Sequence, residues 1–204
     1  MRTIPLIGAI LLLISACGLN QQTKKLKALA DCTYRIHSID AVDLAGADVL
    51  EMMQTQRLDF AQMPRLALGF LSQDIPLQAK LTFEVINPSK QIAEIQEFDY
   101  EVRINDYLLT EGTYDQIISI PAQDTSYIPI EVGSNVYSIL ANDSLRNEIQ
   151  DFILSAKSGT EQTASLELKV KPGIKMGEKL VKYPSFITFK RAISNQALLQ
   201  SEKF

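Results

Sequence analysis

The chain has 204 residues, a formal net charge of −4 and a 46% share of hydrophobic residues. That share supports a folded core rather than a disordered chain, and the length is typical of a single domain. The acidic residues are spread along the chain, which lacks the basic clusters that nucleic-acid binding requires. No nucleic-acid partner is therefore expected.

Residues 1–16 are predicted to be a lipoprotein signal peptide. After Arg2, the stretch Ile4–Ile14 is almost wholly apolar. At about 11 residues it is too short to cross a bilayer but has the length of a signal-peptide core. It leads into Ile14-Ser15-Ala16-Cys17, which resembles the bacterial lipobox. The resemblance implies that the Cys17 thiol receives a diacylglycerol, that the chain is cut before it, and that the new amine is acylated, typically with palmitate. The alternative is an ordinary secretory signal with a chance cysteine.

Residues 17–30 are predicted to form a tether between this lipid and a folded domain. Lys24, Lys25 and Lys27 could rest on anionic lipid head groups, or the tether could stay in solution. Gly18, rather than an acidic residue, follows the cysteine. By resemblance to the general lipoprotein sorting pattern, this implies delivery to the outer membrane of a two-membrane bacterium. No acidic run follows the cysteine, so we expect the protein to face the periplasm; in a cell with one membrane it would lie on the outer face of that membrane.

The first predicted strand is Cys32–Leu44, which we expect to contain a bulge. Once Cys17 carries lipid, Cys32 is the only remaining thiol, so a disulfide within the chain is excluded. We expect Cys32 to be buried, because a free cysteine packs as a small hydrophobe.

The segment from residue 47 to residue 75 is ambiguous. Its first part is rich in helix formers but lacks the residues that usually end a helix, so a helix and a long irregular crossover both remain open. Its large apolar side chains are expected to line a core rather than a contact site; they include Met52, Met53, Met63 and Phe70.

Alternating strands follow. Leu77–Asn87 and Phe98–Asn105 place apolar and polar side chains on opposite faces, as a strand with one buried face requires. A turn is predicted at Asn105-Asp106. The next stretch, from Tyr107 to Ile120, has a predicted bulge or bend at Gly112.

After a turn at Pro121–Asp124, a strand over 125–132 contains Pro129, which predicts a sheet edge or a bulge. The period then changes from two to that of a helix over Ser134–Lys157, with an interruption near Asn142. Ser134 is a candidate cap, and Gly159 lies just past the end.

Strands resume at 164–170, turn at Pro172-Gly173, and end with Pro184–Ile193. The tail, Ser194–Phe204, is polar and is expected to fray. The sequence therefore predicts a mostly β chain. We expect an immunoglobulin-like or fibronectin-III-like antiparallel β-sandwich of about seven strands with one late amphipathic helix, as a single domain over residues 31–193.

The order of the turns resembles the late embryogenesis abundant type 2 family, also called the WHy domain. The matching positions are the strand end at Asn87-Pro88, the hairpin at Ile104-Asn105, the later Gly112 and the turn at Ile120-Pro121. The similarity covers residues 77–193. Independently of the family, Pro88 forces extended geometry on Asn87 and ends the ladder, while the asparagine amide can cap backbone groups. This makes the pair a signature of the fold rather than a reactive site.

Reactive constellations are not evident in the sequence. His37 is the only histidine and is interpreted as a residue on a sheet surface. Clustered metal ligands and phosphate-cradling glycine motifs are not found, so no metal or cofactor is expected. A pair of carboxylates from distant strands remains open from sequence alone. We do not expect an enzyme.

Two functions follow from these observations. The resemblance implies a non-catalytic, lipid-anchored envelope protein linked to desiccation or other stress. The alternative is a binding or assembly module that recognises a protein partner through an edge strand, or holds a lipid or other apolar ligand between its sheets.

Overall fold

The computed structural model describes residues 24–55, 63–176 and 179–200. The strands are β1 (Thr33–Leu44), β2 (Ala47–Asp48), β3 (Pro76–Asn87), β4 (Ala93–Ile95), β5 (Glu97–Ile104), β6 (Tyr107–Tyr114), β7 (Ile118–Ile120), β8 (Asp124–Asn135), β9 (Thr163–Met176), β10 (Lys179–Lys182) and β11 (Ile187–Ser194). The helices are α1 (24–31), α2 (Val49–Thr55), α3 (Pro64–Ser72), α4 (Tyr137–Leu140), α5 (Asp143–Ser155) and α6 (Asn195–Gln200).

Two antiparallel sheets face each other. The first has the order β2-β1-β3-β8. In the second, β9 lies between β5 and the pair β10 and β11, and β6 follows β5. The short strands β4 and β7 pair with each other. Strand β6 lies near β8 and β1 near β11, so the long sides of the sandwich are closed. The predicted mostly β, antiparallel sandwich is confirmed, and seven strands in the described residues have eight or more residues.

Alternation explains which side chains form the core. In β3, Leu81, Phe83 and Val85 are buried, and they meet Phe98 and Leu168 from the opposite sheet. One residue breaks the expected pattern, because Glu84 is predicted on the wet face but is only 3% exposed. The predicted bulge in β1 is confirmed by two register shifts against β3.

The two ends of the sandwich differ. We call the end that carries α1, β4, β7 and the β9–β10 hairpin the amino-terminal end. The opposite end carries α2 to α6, and we call it the helical end. The registers fix this polarity, since Leu77 at the start of β3 pairs with Leu44 and with Ser134 at the helical end. Asn87 lies at the amino-terminal end, opposite Asp124.

The predicted tether is wrong from residue 24 onward. Residues 24–31 form helix α1, and Ala28 and Leu29 are buried in the main core. The physical reason is that these two apolar side chains, on one turn of the helix, pack into the end of the core between the two sheets. The frayed tail is also wrong in its first part, because Asn195–Gln200 forms α6 and Asn195 is fully buried.

Three predicted end and turn signals are also corrected. Ser134 belongs to β8, and the cap of α5 is Asn142, whose side chain accepts from two backbone N–H groups. The pair Pro172-Gly173 does not turn, because β9 continues through it to residue 176. The register shift of the β5–β6 hairpin lies between Val102 and Arg103 rather than at Gly112.

Other predictions are confirmed. Asn105 and Asp106 both have positive φ, 45° and 68°, as a two-residue hairpin turn requires. Pro129 lies in β8, which is the edge strand of its sheet. The late helix is interrupted before Asn142, and Gly159 follows it with φ 81°. The ambiguous segment contains α2 and α3, and α3 ends at Gln73 in the left-handed region, φ 57°.

Candidate ligand-binding cavity

A cavity of about 360 Å³ lies between the two sheets at the helical end. Both sheets contribute aliphatic side chains from the inner faces of their strands, near the strand ends that meet at α5. The first sheet supplies Leu44, Leu77, Ala79, Leu81 and Val132, and the second supplies Val102, Ile104, Leu109, Leu166 and Ile193. The walls are therefore hydrocarbon on both sides.

Helix α5 forms the roof of this cavity. Its apolar residues Leu145, Ile149 and Phe152 recur at spacings of four and three, so they share one face, and all three line the cavity. The main neighbours of α5 are the helices α2, α4 and α6. The apolar stripe of α5 thus covers the open space between the sheets, and Met53 of α2 closes one side.

A buried asparagine joins the roof to the sheet. The Asn195 amide nitrogen donates to the carbonyl oxygen of Phe152 at 3.1 Å, to the Ser155 hydroxyl at 2.9 Å and to the carbonyl oxygen of Thr160 at 3.2 Å. Its amide oxygen accepts from the N–H of Gln162 at 3.0 Å. Sequence reasoning missed this residue, because an asparagine in a polar tail carries no signal of burial.

Exposed polar residues mark the mouth of the cavity. They come from the β5–β6 turn, from the outer side of α5 and from the start of β9: Asn105, Tyr107, Glu148, Asp151 and Thr163. The turn is fixed to β9, because the Asn105 side-chain oxygen accepts from the Ser165 N–H at 2.8 Å. A ligand would therefore meet a polar, mildly acidic rim before an apolar interior.

The cavity lining contains few ionisable side chains. The ionisable side chains that line the cavity, Lys80, Tyr107, Glu148 and Asp151, are all exposed. No group of three or more histidine, cysteine or acidic side chains that could hold a metal occurs among the described residues. The arrangement can exclude water from a hydrocarbon and select it by shape.

His37 does not line the cavity and lies on the outer face of the first sheet, beside Glu84 and Tyr127. Its Nδ1 is 3.3 Å from the Glu84 carboxylate, and its ring contacts Tyr127 edge-on at 4.8 Å. Arg35 also binds Glu84, with one contact at 3.0 Å. The hydrogen bond from Arg35 holds the pKa of Glu84 below its ordinary value, against the opposing effect of burial. This cluster explains how a carboxylate can be buried on a sheet face.

Asn87 is fully buried at the amino-terminal end. Its amide nitrogen donates to the carbonyl oxygens of Gln91 at 2.8 Å, Ile120 at 3.2 Å and Pro121 at 2.9 Å. Its oxygen accepts from the Ser89 N–H at 3.0 Å. The side chain thus ties the end of β3 to β7, and Pro88 beside it is exposed.

The predicted lipidation residue Cys17 and the lipobox residues Ile14, Ser15 and Ala16 lie outside the described residues. Cys32 is buried as predicted, and its thiol donates to the Ala28 carbonyl oxygen at 3.2 Å. Burial raises the pKa of this thiol. Of the four residues assigned to a core, Met52 and Met53 are buried, while Met63 and Phe70 are partly buried against the helices. Within the described residues, no helix has the length and apolar character needed to span a membrane.

No protein-family model matches the chain, and comparison with curated proteins finds no match. Among solved structures, it is similar to a protein from Archaeoglobus fulgidus, with 11% identity over 77% of this chain and 95% of that one, at a TM-score of 0.34. A protein from Arabidopsis thaliana has 18% identity over 59% of this chain and 70% of that one, also at 0.34.

A third similar structure is that of a late embryogenesis abundant protein. The identity is 13%, the coverage is 93% of this chain and 85% of that one, and the TM-score is 0.35. Similarities at this level do not establish a family, a ligand or an activity.

Proposed function

We propose that this protein is a non-catalytic binding protein that holds an apolar ligand, such as a lipid acyl chain, between its two sheets. The observation that carries the proposal is the cavity of about 360 Å³ with hydrocarbon walls and a polar rim. Its volume falls within the range of about 300–1,000 Å³ typical of small-molecule sites, which are also mostly apolar with a few polar groups.

The cavity opens to solvent at its exposed polar rim, so water can enter it when no ligand is bound. The gain on binding is therefore the burial of the ligand's own apolar surface. A linear hydrocarbon recovers about 0.8 kcal/mol for each methylene it buries. An acyl chain of about eight carbons therefore supplies roughly 6 kcal/mol before the cost of ordering it.

A cavity-filling substitution tests this function. Ala79 lies on the inner face of β3, between Val42 and Val132 of the neighbouring strands, and all three line the cavity. In Ala79→Phe, the ring occupies space meant for ligand. We expect at least a tenfold weaker affinity for a dansyl-labelled undecanoic acid, followed by fluorescence, with unfolding free energy equal to or above that of the wild type.

The matched control is Ala67→Phe, because Ala67 is exposed on α3 and does not line the cavity. This variant should bind the probe as the wild type does. A wild-type protein that gives no saturable signal, or an Ala79→Phe variant that binds with unchanged affinity, would refute the function. Native mass spectrometry of protein purified from membranes would identify a co-purified lipid by its mass.

We further infer that the protein is anchored in the cell envelope through Cys17, with the outer membrane and the periplasmic side as its place. The support is the lipobox Ile14-Ser15-Ala16 and the Gly18 that follows the cysteine. Metabolic labelling with an alkyne analogue of palmitate should mark the wild type and leave Cys17→Ala unlabelled. Equal labelling of the two proteins would exclude this anchor.

The second candidate function is protection of the envelope during drying or other stress, as a protein of the late embryogenesis abundant type 2 kind. It is favoured by the Asn87-Pro88 strand end and the Asn105 hairpin that carry the resemblance. Cells with the Cys17→Ala protein should survive drying less well than wild-type cells. Crosslinking from membranes distinguishes the alternatives, because a defined protein partner lost with the anchor would indicate an assembly module.

A further inference from the structure

The amino-terminal end exposes a group of large apolar side chains. Leu180, Val181, Tyr183 and Phe186 are 44%, 42%, 49% and 38% exposed, on β10 and the residues that follow it. The segment is held in place, because the N–H of Tyr183 donates to the Pro172 carbonyl oxygen at 2.8 Å. Single exposed hydrophobic residues are ordinary, but four occur here within seven positions, with Leu180 and Val181 on opposite faces of the edge strand β10. We call these four side chains the patch.

Lysines surround this patch. Residues 171–186 contain four lysines and one acid, Glu178, in a chain whose net charge is −4. Lys182 is held by Asp99 at 2.7 Å and by Glu97 at 3.0 Å, and Lys171 lies 5.9 Å from the centre of the Phe186 ring. The remaining two, Lys175 and Lys179, are exposed.

Helix α1 adds positive charge at the same end. Its lysine Lys25 pairs with Glu94 of β4 at 2.5 Å, which fixes the helix at this end of the sandwich. Lys24 and Lys27 are exposed. We call the exposed lysines of α1 and of the β9–β10 hairpin, with the four apolar side chains, the basic face.

Aromatic side chains beside lysines are the composition that proteins place at the interface between lipid and water. Tyrosine keeps its hydroxyl among head groups while its ring enters the acyl region. Each lysine near an anionic surface changes binding by about fivefold. Lys24 of α1 lies at this end, seven positions after Cys17, the residue at which we propose the lipid anchor.

We propose that the basic face docks on the surface of an anionic bilayer, so that the cavity mouth at the helical end opens away from that bilayer. The mouth carries Glu148 and Asp151, which an anionic surface repels. The docking face is separate from the cavity, so it stands whether or not a ligand is bound there.

Fluorescence depth measurement tests the proposal in the full-length protein. The chain contains no tryptophan, so Phe186→Trp and Tyr183→Trp each introduce a single reporter in the basic face. Leu71→Trp is the matched control, because Leu71 is 83% exposed on α3 at the helical end and does not line the cavity. Each variant is reconstituted in vesicles of phosphatidylcholine with about one third phosphatidylglycerol, containing doxyl-labelled lipid, after its melting temperature is shown to equal that of the wild type.

The expected result is strong quenching in at least one basic-face variant and little in Leu71→Trp. Reversing both Lys175 and Lys179 to Glu should weaken the docking at least 25-fold, measured as the loss of quenching, and about 0.5 M salt should also reduce the quenching. The proposal would be overturned by quenching in neither basic-face variant, by equal quenching in Leu71→Trp, or by quenching that the charge reversal leaves unchanged.

Discussion

Replacing Asn195 by alanine tests whether one buried side chain holds the roof of the cavity. The substitution removes four hydrogen-bond contacts, through which Asn195 joins the end of α5 to the residues before β9. Three of them share the two hydrogens of the amide nitrogen, so they count as about three full bonds. At a net contribution of about 0.5–1.5 kcal/mol for each bond, the loss lies between about 1.5 and 4.5 kcal/mol. We expect about 3 kcal/mol, because Thr160 is exposed and water can replace part of what is lost.

The assay is hydrogen exchange followed by mass spectrometry under native conditions. A local loss of about 3 kcal/mol raises the population of open states about a hundredfold. In Asn195→Ala, the amides of α5 should therefore exchange about a hundred times faster, while those of β3 change much less. Saturation with an apolar ligand should restore part of the protection, since a ligand stabilises the closed roof by mass action.

Asn87→Ala is the matched control for this prediction. Asn87 is also fully buried and also makes four hydrogen bonds, but it lies at the amino-terminal end. It should lower the overall free energy of unfolding by a similar amount without selectively exposing α5. If Asn195→Ala accelerates exchange in α5 no more than in β3, or if both variants give the same exchange pattern, the Asn195 hydrogen bonds do not hold α5 over the cavity.

Three further predictions concern the sandwich itself. Because the folded-state pKa of Glu84 is depressed, its contribution is complete above its ordinary pKa and is lost as the pH falls through the depressed value. Melting temperatures between about pH 3 and 7 should therefore depend less on pH in Glu84→Gln, and an unchanged profile would contradict this. A Cβ at Gly112 would lie 2.9 Å from the Tyr100 hydroxyl, whereas one at Gly133 meets nothing within 4 Å. In urea unfolding, Gly112→Ala should therefore lower the free energy of unfolding by about 1 kcal/mol, while Gly133→Ala should be neutral or stabilising. Equal effects of the two substitutions would count against the packing argument. The Cys32 thiol, with the other cysteine replaced, should react with Ellman's reagent only after unfolding, because the thiol is buried and its pKa is raised. Rapid reaction of the native protein would disprove its burial.

The local features of this chain could be predicted from its sequence because they depend on near neighbours. Alternation over Leu77–Asn87 specifies a strand with one buried face, and the Asn105-Asp106 pair tolerates the positive φ that its turn needs. The change of period after residue 134 predicts a helix, and the polar residues around Asn142 predict its interruption. A mostly β sandwich follows from such signals.

Burial of polar residues depended on contacts between distant segments. Glu84 alternates like a solvent-facing residue, yet Arg35 and His37, about fifty positions earlier, cover it. Asn195 reads as part of a polar tail, and only the approach of α5 encloses it. The alternation of residues along a strand predicts which face a side chain occupies. It does not predict which distant strand or helix covers that face.

The cavity and the basic face required the tertiary structure for the same reason. The sequence determines that inner faces are apolar, and it left open a ligand between the sheets. It does not determine how far apart the two sheets lie beneath α5, whose main neighbours are α2, α4 and α6. Likewise, Lys24 and Lys179 are separated by about 150 positions and lie at one end because Lys25 of α1 pairs with Glu94 of β4, which packs against β9. The cavity and the basic face are each formed by residues far apart in the chain. The sequence therefore determines the chemical character of their side chains, but only tertiary packing brings those side chains together.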